Sequence, residues 1–460
     1  MKPLTLEPDE YDMLRRAFQG GFTHANPFHA KRIIENVTSY DFTSSYPAVM
    51  VAERFPMSKG EWIDIKTMKQ LRKNLKLYCC VFDVKFTKIR SKCLFESYIS
   101  ESRCWGSRKK VYANNGRVVS ADLIHTTITE QDFEIIENMY EWEEIEIGRF
   151  IRYRRGYLPT DFVKSILKLY SDKTQLKGVK GKEVEYMNIK EMANASYGMT
   201  VCNVVREEYR YNDIKDAWDD PKTPDISTAL NEYNTNSNRF LFYPWGVWVT
   251  AYARRNLFTA IFTCQNDYVY SDTDSVKIRN ADKYRKYFDE YNSLIVKKLK
   301  KACDFHKISY DMICPKTIKG IEKPLGVWDF DGFYYRFKTL GAKRYLTETD
   351  DGLHLTVSGL NKKRAVWFLA KGWRYDIKTK KEYGNPFNKF SNRLEIPETF
   401  TGKLTHTYID TEMKGIITDY MGNVGTFYEK SCVHLEPARY RLSMAQNYID
   451  YIESIQDEVN

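Results

Sequence analysis

The stretch Tyr270-Ser271-Asp272-Thr273-Asp274-Ser275 decides how the rest of the chain is interpreted. It lies in a segment, residues 267–279, whose apolar alternation on both sides of a tight turn predicts a β-hairpin. Such a hairpin brings Asp272 and Asp274 to one edge of a sheet. Two carboxylates held there repel each other unless a divalent cation neutralises them, and Mg²⁺ takes oxygen ligands of this kind. An Asx-rich turn with solvated charges is the alternative interpretation.

A second acidic motif lies far upstream and reads Asp41-Phe42-Thr43-Ser44-Ser45-Tyr46-Pro47. Residues 40–50 predict a strand that runs into a turn closed by Pro47. Asp41, at the end of that strand, offers another metal ligand, and the backbone N–H groups of the hydroxyl-rich turn can bind phosphate oxygens. Ordinary turn chemistry explains the same residues, so this motif alone does not establish a site.

The third motif is Lys190-Glu191-Met192-Ala193-Asn194-Ala195-Ser196-Tyr197-Gly198. It belongs to residues 161–200, which predict two helices with a break at Gly178 and Gly181. On a helix, Lys190, Asn194 and Tyr197 are spaced i, i+4 and i+7, so that one face presents a cation, an amide and a ring. A cation suits a triphosphate, and a ring with an amide suits a base and a sugar. An exposed lysine beside a buried tyrosine is the alternative.

The three motifs gain meaning from their combination. Two separated carboxylate sites with a basic helix between them are what two-metal nucleotidyl transfer requires. In that chemistry one ion lowers the pKa of a primer 3′-hydroxyl, and the other stabilises the leaving pyrophosphate. Because phosphoryl transfer depends mainly on positioning and charge neutralisation, few residues suffice.

The composition agrees with this interpretation. The 460 residues include 71 Lys+Arg against 61 Asp+Glu, and the formal net charge is +10. Aromatic residues reach 15%, which excludes a disordered chain and suits stacking on bases. A large aromatic core with an ordinary basic surface is the alternative. Residues 245–264 form an aromatic and apolar stretch that predicts a helix, and Arg254 and Arg255 interrupt it, so we expect no membrane span. Residues 77–86 predict a strand, and residues 132–146 predict an acidic helical patch. Nine cysteines without a C-x-x-C spacing predict free thiols in a reducing cytoplasm and no zinc site.

The positive charge is concentrated in residues 361–382, where basic residues alternate with aromatic ones. Lys362, Lys363 and Arg364 begin this segment, and Trp367 and Trp373 follow. Such a pattern favours a surface that tracks a phosphate backbone, and a solvated helix face is the alternative.

On its three motifs the sequence resembles family B DNA polymerases, whose motifs read D-x-x-S-L-Y-P, K-x-x-x-N-S-x-Y-G and Y-x-D-T-D-S. The third motif is complete here. The first departs at Ser45, where the family usually has Leu, and the second departs at Ala195, where it has Ser. Neither position is a metal ligand, so we expect altered packing or nucleotide handling rather than loss of activity. The resemblance implies an α+β right-hand polymerase core with an antiparallel palm sheet, helical fingers and a thumb.

Within that family the sequence resembles the protein-primed branch of phages, adenoviruses and linear plasmids. Phe18-Gln19-Gly20-Gly21 resembles the Y-x-G-G element of that branch, and Lys343-Arg344-Tyr345 resembles its K-x-Y element. The resemblance implies a terminal protein as primer, action in the host cytoplasm, and two insertions. The first insertion contacts terminal protein and DNA in relatives, and the second encircles template and primer to give processivity and strand displacement.

The implied domains follow the order of the motifs along the chain. The palm takes residues 1–52 and 246–355, the first insertion 53–160, the fingers 161–203, the second insertion 204–245, and the thumb with a C-terminal extension 356–460.

The resemblance also assigns roles to the matching residues. Asp41, Asp274 and the carbonyl of Phe42 would hold two Mg²⁺ ions, with Mn²⁺ able to substitute, and Asp272 would be an accessory carboxylate near the primer end. Tyr46 would select dNTP over rNTP. The other implied nucleotide-binding residues are Ser44, Lys190, Asn194 and Tyr197. The implied contacts with DNA primer–template are Gly20, Gly21, Thr273, Ser275, Lys343, Tyr345, Lys362, Lys363 and Arg364.

A 3′–5′ exonuclease domain normally precedes the Y-x-G-G element in this branch, whereas only 17 residues precede Phe18 here. We therefore expect no proofreading by this chain. A separate exonuclease polypeptide, a degenerate prophage copy or an engineered fragment each fits that expectation. A catalytically silent nucleic-acid-binding subunit is the rival function, and three intact carboxylates argue against it. A reverse transcriptase or RNA polymerase is disfavoured by Tyr46 and by the D-T-D spacing.

Overall fold

The computed structural model describes residues 4–215, 217–409, 413–418, 424–429 and 432–457. These residues form two compact units. The first unit contains residues 4–28, 37–332 and 450–457, and the second contains the described part of 29–36 and 333–449. All three motifs lie in the first unit, which is therefore where the candidate site is built.

An antiparallel sheet in the first unit carries both acidic motifs. Its strands lie in the order Thr23–Ala25, Tyr268–Asp272, Ser275–Ile278 and Ile34–Phe42. The middle two form a hairpin, which confirms the prediction for residues 267–279. Ser275 pairs with Asp272 on one side and with Asp41 on the other. This register brings the acidic ends of two strands, distant in sequence, to neighbouring positions.

The helix Tyr243–Cys264 forms the centre of the first unit and confirms the helical prediction for residues 245–264. Its sequence is apolar on nearly every side because the helix is buried on nearly every side. Trp248 belongs to one hydrophobic cluster and Phe258 to the other, so the helix joins the two cores. Among the described residues, no helix combines the length and the apolar character needed to cross a membrane.

Further helices surround this centre. They are Pro8–Ala17, Ser45–Ala52, Met68–Leu77, Glu130–Met139, Thr160–Leu176, Glu183–Gly198, Ile226–Thr235 and Arg285–His306. The helices Thr160–Leu176 and Glu183–Gly198 pack against each other, and both pack against Ser45–Ala52. The prediction of two helices over residues 161–200 is confirmed.

The prediction for residues 40–50 is wrong in its second half. The strand ends at Phe42, and the helix Ser45–Ala52 follows instead of a turn closed by Pro47. Pro47 is the third residue of this helix, where a backbone N–H would have no partner within the helix in any case. A proline at this position is therefore compatible with the first turn of a helix.

A second antiparallel sheet occupies much of residues 61–153. Its strands are Glu61–Trp62, Cys79–Ser91, Cys104–Lys109, Tyr112–Asn114, Arg117–Thr129, Tyr140–Glu141 and Glu144–Tyr153. The strand expected over residues 77–86 is present from Cys79. The acidic helix expected over residues 132–146 ends at Met139, because Glu144 to Ile147 alternate polar and apolar residues with the period of a strand.

Residues 204–215 and 217–242 contain little regular structure. Two short strands, Tyr211–Asn212 and Ala217–Trp218, pair with each other before the helix Ile226–Thr235. The side chain of Asn234 accepts a hydrogen bond from the amide of Leu6 and donates one to its carbonyl, each at 2.9 Å. The helix of this segment is therefore fixed to the beginning of the chain.

The second unit is built on the strand Trp328–Thr339, which continues into it from the first unit, and on Arg344–Thr349 and Gly352–Val357. The helix Lys362–Ala370 and the hairpin Arg374–Asp376 with Lys381–Tyr383 follow. Arg336 contacts the carboxylates of Glu348 and Glu382, which ties the sheet to this hairpin. The remaining elements are Pro386–Lys389, Glu395–Ile396, Glu398–Thr401, Leu404–Ile409, Met413–Thr418, Val424–Glu429, Cys432–Pro437, Tyr440–Arg441 and Gln446–Asp457.

Candidate active site

Two carboxylates from distant parts of the chain meet at the edge of the first sheet. Asp41 lies near the end of the strand Ile34–Phe42, and Asp274 lies in the turn of the hairpin. The amide of Phe42 donates a hydrogen bond of 2.8 Å to the backbone carbonyl of Asp274, which joins the strand to the turn. Burial raises the pKa of Asp41, and the charge of Asp274 adds to the effect, so that this pKa reaches about 7. Ionising both acids is therefore unfavourable without a cation nearby.

Asp272, the third acid of the motifs, has hydroxyl partners. The hydroxyl of Thr23 donates to its Oδ1 at 2.7 Å, and the hydroxyl of Thr273 does so at 3.3 Å. Asp272 is thus held beside the pair by the strand Thr23–Ala25, as its pairing with Thr23 requires.

The turn after Asp41 forms hydrogen bonds with the segment that precedes the strand Trp328–Thr339. The hydroxyl of Thr43 donates to the carbonyl of Pro324 at 2.6 Å, and its amide donates to the carbonyl of Val327 at 2.9 Å. The ring of Phe42 stacks on Trp328 with centroids 3.6 Å apart. Ser44 then takes a left-handed conformation, with φ of 60°, and starts the next helix. These contacts fix the backbone of Phe42 and Thr43 beside Asp41.

Tyr46 and Tyr197 bring the first and second motifs together. Tyr46 is the second residue of the helix Ser45–Ala52, and its ring lies 4.4 Å from that of Tyr197, centroid to centroid. Burial raises the pKa of Tyr46 to about 12, so its hydroxyl stays neutral. Lys190 and Asn194 lie on the same helix as Tyr197 and are exposed. The helix face predicted from the i, i+4, i+7 spacing is therefore present, with Lys190 and Asn194 exposed and Tyr197 half-buried against Tyr46.

Lys173 is a cation of this site that the sequence analysis missed. It lies on the helix Thr160–Leu176, and its ammonium donates a hydrogen bond to the hydroxyl of Ser44. Burial lowers its pKa to about 8, with contributions from Lys177 and Lys190, while the acids Asp41 and Asp274 oppose the shift. These mutual effects place Lys173 between the basic helix face and the carboxylate pair. No motif contains Lys173. It reaches the site because the helix Thr160–Leu176 packs on the helix Ser45–Ala52.

Gly21 is required by the close packing of Thr273 against it. The amide of Thr273 donates to the carbonyl of Phe22 at 2.7 Å. This hydrogen bond brings the hairpin turn against the glycine element, Phe18-Gln19-Gly20-Gly21. A Cβ at Gly21 would lie 2.6 Å from the side chain of Thr273, closer than real contacts allow. A Cβ at Gly20 would meet nothing within 4 Å. The expected approach of both glycines to a template stays a prediction.

The carbonyl groups of this glycine element are held by Arg254, a second residue that the motifs did not reveal. Its guanidinium is fully buried and donates to the carbonyl of Gly20 at 2.9 Å and also to that of Gln19. It forms an ion pair of 2.6 Å with the buried carboxylate of Asp132. The signal in the sequence was a pair of arginines, Arg254 and Arg255, inside an otherwise apolar helix.

The remaining predicted residues belong to the second unit. Lys343 is exposed in the short loop between the strands Trp328–Thr339 and Arg344–Thr349, and Tyr345 stacks on Phe337 with centroids 5.4 Å apart. Lys362, Lys363 and Arg364 are exposed in the first turn of the helix Lys362–Ala370.

The acids of the site fit a hard divalent cation. Among the described residues, no group of three or more His, Cys, Asp or Glu side chains is arranged to hold a metal ion. Mg²⁺ does not need such a cage, because it is commonly bound by one or two carboxylates together with waters and substrate phosphates. The pair Asp41 and Asp274, with the raised pKa of Asp41, supplies that kind of ligand set.

Comparison with known sequences supports the same interpretation. The DNA polymerases of Bacillus phage Nf and Bacillus phage phi29 are 25% and 24% identical to this chain over 342 and 344 residues. Each match covers 73% of this chain and 49% of the relative. The chain therefore spans about half the length of the curated relatives that it matches.

Solved structures agree on the fold. The orthorhombic crystal form of Phi29 DNA polymerase gives a TM-score of 0.57 at 17% identity, covering 96% of this chain and 64% of that one. Phi29 DNA polymerase complexed with primer–template DNA gives 0.58 at 16% identity, with the same coverage. The predicted α+β right-hand polymerase fold is confirmed.

The model of the family described as DNA polymerase type B, organellar and viral, matches residues 1–293. That range contains the three motifs, the glycine element and the acids of the site. The predicted resemblance to family B, in the branch that includes phage enzymes, is confirmed. This chain belongs to the type B DNA polymerases of organelles and viruses.

Proposed function

We propose that this chain is a template-directed DNA polymerase that adds dNMP to a primer 3′-hydroxyl and releases pyrophosphate. The observation that carries the proposal is the meeting of Asp41 and Asp274 beside Tyr46 and a lysine pair, Lys173 and Lys190. Carboxylates, a ring and cations are the groups that a metal, a sugar and a triphosphate require.

Family membership implies a divalent-metal requirement, and we assign its ligands here. Asp41, Asp274 and the carbonyl of Phe42 would hold two Mg²⁺ ions, which when bound supply the charge that activates the 3′-hydroxyl and stabilises pyrophosphate; Mn²⁺ would substitute. Asp272, held by Thr23, would orient the primer end. The hydrogen bond between Phe42 and Asp274 keeps the two ligand-bearing segments in register.

The dNTP would lie between the helix pair and the sheet. Lys190 and Lys173 would hold the triphosphate, and the hydroxyl and backbone of Ser44 would bind its oxygens. Tyr46 would lie under the sugar and exclude a 2′-hydroxyl. Asn194 and Tyr197 would line the pocket of the nascent base pair. The contact between the rings of Tyr46 and Tyr197 supports this arrangement.

Each unit carries residues to which we assign DNA contacts. In the first unit we assign template and primer contacts to Gly20, Gly21, Thr273 and Ser275, and in the second to Lys343 and Tyr345.

The helix Lys362–Ala370 supports a further phosphate contact. Three cations, Lys362, Lys363 and Arg364, lie in its first turn, where the helix dipole disfavours positive charge. Their clustering there is therefore better explained by an anion bound from outside than by helix stability.

We further propose the implied organisation and partners. Residues 1–52 and 246–355 act as palm, 161–203 as fingers and 356–460 as thumb. Residues 53–160 contact terminal protein and DNA, and residues 204–245 confer processivity. Priming by a terminal protein and action in the host cytoplasm complete the proposal.

Primer extension on a templated hairpin, with Mg²⁺ and dNTPs, tests the function. We expect extension by the wild type and none by Asp274→Ala. Failure of both, with primer–template binding intact, would favour a catalytically silent DNA-binding subunit and overturn the proposal.

A further inference from the structure

Lys277 is a buried cation two residues beyond the third motif. It lies on the strand Ser275–Ile278, opposite Ser39 of the strand Ile34–Phe42, and only 4% of its surface is exposed. Its ammonium donates a hydrogen bond of 2.6 Å to the hydroxyl of Ser275. Lysine is almost never buried to this degree unless negative charge lies nearby.

The charge around Lys277 is acidic. Burial lowers its pKa, while Asp331, Asp41, Asp272 and Asp274 all favour its charged form. The effect is mutual, because Lys277 lowers the pKa of Asp41 and thereby opposes burial and Asp274.

Asp331 shares the face of Lys277. Ser39, the cross-strand neighbour of Lys277, donates a hydrogen bond of 3.1 Å to Asp331. Since side chains alternate between the two faces of a strand, Ser275 and Lys277 share one face, and their partners Asp41 and Ser39 lie on it too. One lysine is thus placed within a cluster that includes both proposed metal ligands.

We propose that Lys277 is a positioning residue that supplies one fixed positive charge to this acidic cluster and keeps Asp41 and Asp274 assembled before a divalent cation binds. The inference rests on the proposed metal site. The four acids around Lys277 outnumber Lys277 and Lys173 together, so the cluster stays negative and still attracts a metal. Replacing the lysine by an uncharged residue increases the repulsion among the acids, and a bound divalent cation then relieves more of it.

Thermal unfolding with excess EDTA and with excess Mg²⁺, at one mildly alkaline pH, tests this inference. We expect Mg²⁺ to raise the Tm of Lys277→Met by at least about 2 °C more than that of the wild type. Lys277→Arg, which keeps the charge, is expected to behave like the wild type. Direct titration with Mn²⁺ is expected to show about tenfold tighter binding to Lys277→Met than to Lys277→Arg.

Lys338→Met provides the matched control. Lys338 is also buried, but it lies in the second unit and donates to the backbone carbonyl of Phe387 at 2.8 Å. We expect its loss to lower the Tm equally in EDTA and in Mg²⁺. The same equal loss in Lys277→Met would reduce Lys277 to a packing residue and overturn the inference. A Lys277→Met chain that stays unfolded in Mg²⁺ would also overturn it, because the metal is expected to replace the missing charge.

Primer extension by the wild type separates the two proposals. If the wild type extends primers while Lys277→Met shows no added response to metal, only the role of Lys277 fails. If the wild type neither extends primers nor binds Mn²⁺, the metal site itself fails, and with it the inference.

Discussion

Asp132 and Asp41 are two carboxylates of the same unit in opposite surroundings. Burial alone would raise the pKa of Asp132, but the charge of Arg254 and a hydrogen bond from Tyr98 bring it below its usual value. Asp41 is less buried, yet burial and the neighbouring Asp274 raise its pKa to about 7. Within the protein, Arg254 stabilises the ionised form of Asp132, whereas burial and Asp274 destabilise the ionised form of Asp41.

This difference separates structure from function within one sheet-and-helix core. The pair Asp132–Arg254 lies behind the glycine element and holds its carbonyl groups in place. We propose that a cation and a substrate bind at the pair Asp41–Asp274, where the strand Ile34–Phe42 ends beside the hairpin turn. The core around Asp132 and Arg254 is thus stabilised internally, whereas we expect the acidic pair to be stabilised further by a bound cation.

The largest expected effect is the loss of activity on neutralising Asp41. We expect Asp41→Asn to reduce primer extension by at least about a thousandfold, since a unit of cooperating catalytic groups fails when one member is lost. Its free energy of unfolding in urea is expected to be unchanged or higher, because repulsion with Asp274 is removed. A variant that loses activity only by unfolding would break the comparison.

Neutralising Asp132 is expected to give the opposite result. Asp132→Asn leaves Arg254 buried without its partner charge, which costs about 3–5 kcal/mol of unfolding free energy. Urea denaturation measures this loss. Asp12→Asn removes an exposed partner of Arg16 and is the control, with an expected change below about 1 kcal/mol. Equal effects of the two substitutions would contradict the structural role of Asp132.

The glycine element sharpens the comparison, since it links the two regions. We expect Gly21→Ala to cost about 1–3 kcal/mol in urea denaturation, because its Cβ meets Thr273. Gly20→Ala has open space and is the matched control. Thr273→Gly is expected to rescue Gly21→Ala, as Thr273 has a φ of 60° that glycine adopts readily. Equal costs at both glycines would contradict the packing account.

Tyr46 tests shape rather than charge on the catalytic side. We expect Tyr46→Val to lower the preference for dNTP over rNTP by at least about tenfold, because the ring no longer excludes the 2′-hydroxyl. Single-nucleotide incorporation measures the preference, and Tyr46→Phe, which keeps the ring, is the control. A wild type that accepts rNTPs equally well would rule out the sugar role.

The smallest effect is expected from the basic turn of the second unit. Changing Lys362, Lys363 and Arg364 to Ala is expected to make the salt dependence of primer–template affinity shallower, by about 1–3 in the slope of log K against log salt. The matched control changes Lys283, Arg285 and Lys286, which already pair with carboxylates of the first unit. An unchanged slope would favour the alternative interpretation, in which the segment 361–382 is a solvated helix face.

The sequence predicted the elements whose signal is local. The hairpin around Asp272 and Asp274 has strand alternation on both sides of its turn, and the helix Tyr243–Cys264 is largely apolar apart from Arg254 and Arg255. The helix Ser45–Ala52 was not predicted, because a proline such as Pro47 is common both in turns and in the first turn of a helix. Local patterns do not distinguish those two cases.

The parts of the site that were missed depend on tertiary contacts. Lys173 reaches Ser44 only because the helix Thr160–Leu176 packs on Ser45–Ala52. Arg254 and Asp132 are 122 residues apart and meet inside the core. The motifs identified the acids, since their spacing carries the chemistry, whereas the groups that hold or balance them carry no such spacing.

Binding of Mn²⁺ to the wild type, Asp41→Asn and Asp12→Asn, followed by electron paramagnetic resonance, tests the central claim most directly. The claim is that the pair Asp41–Asp274 is where this chain takes an external cation. We expect the wild type and Asp12→Asn to bind Mn²⁺ alike and Asp41→Asn to lose that binding while remaining folded. Equal binding by a folded Asp41→Asn would contradict the claim.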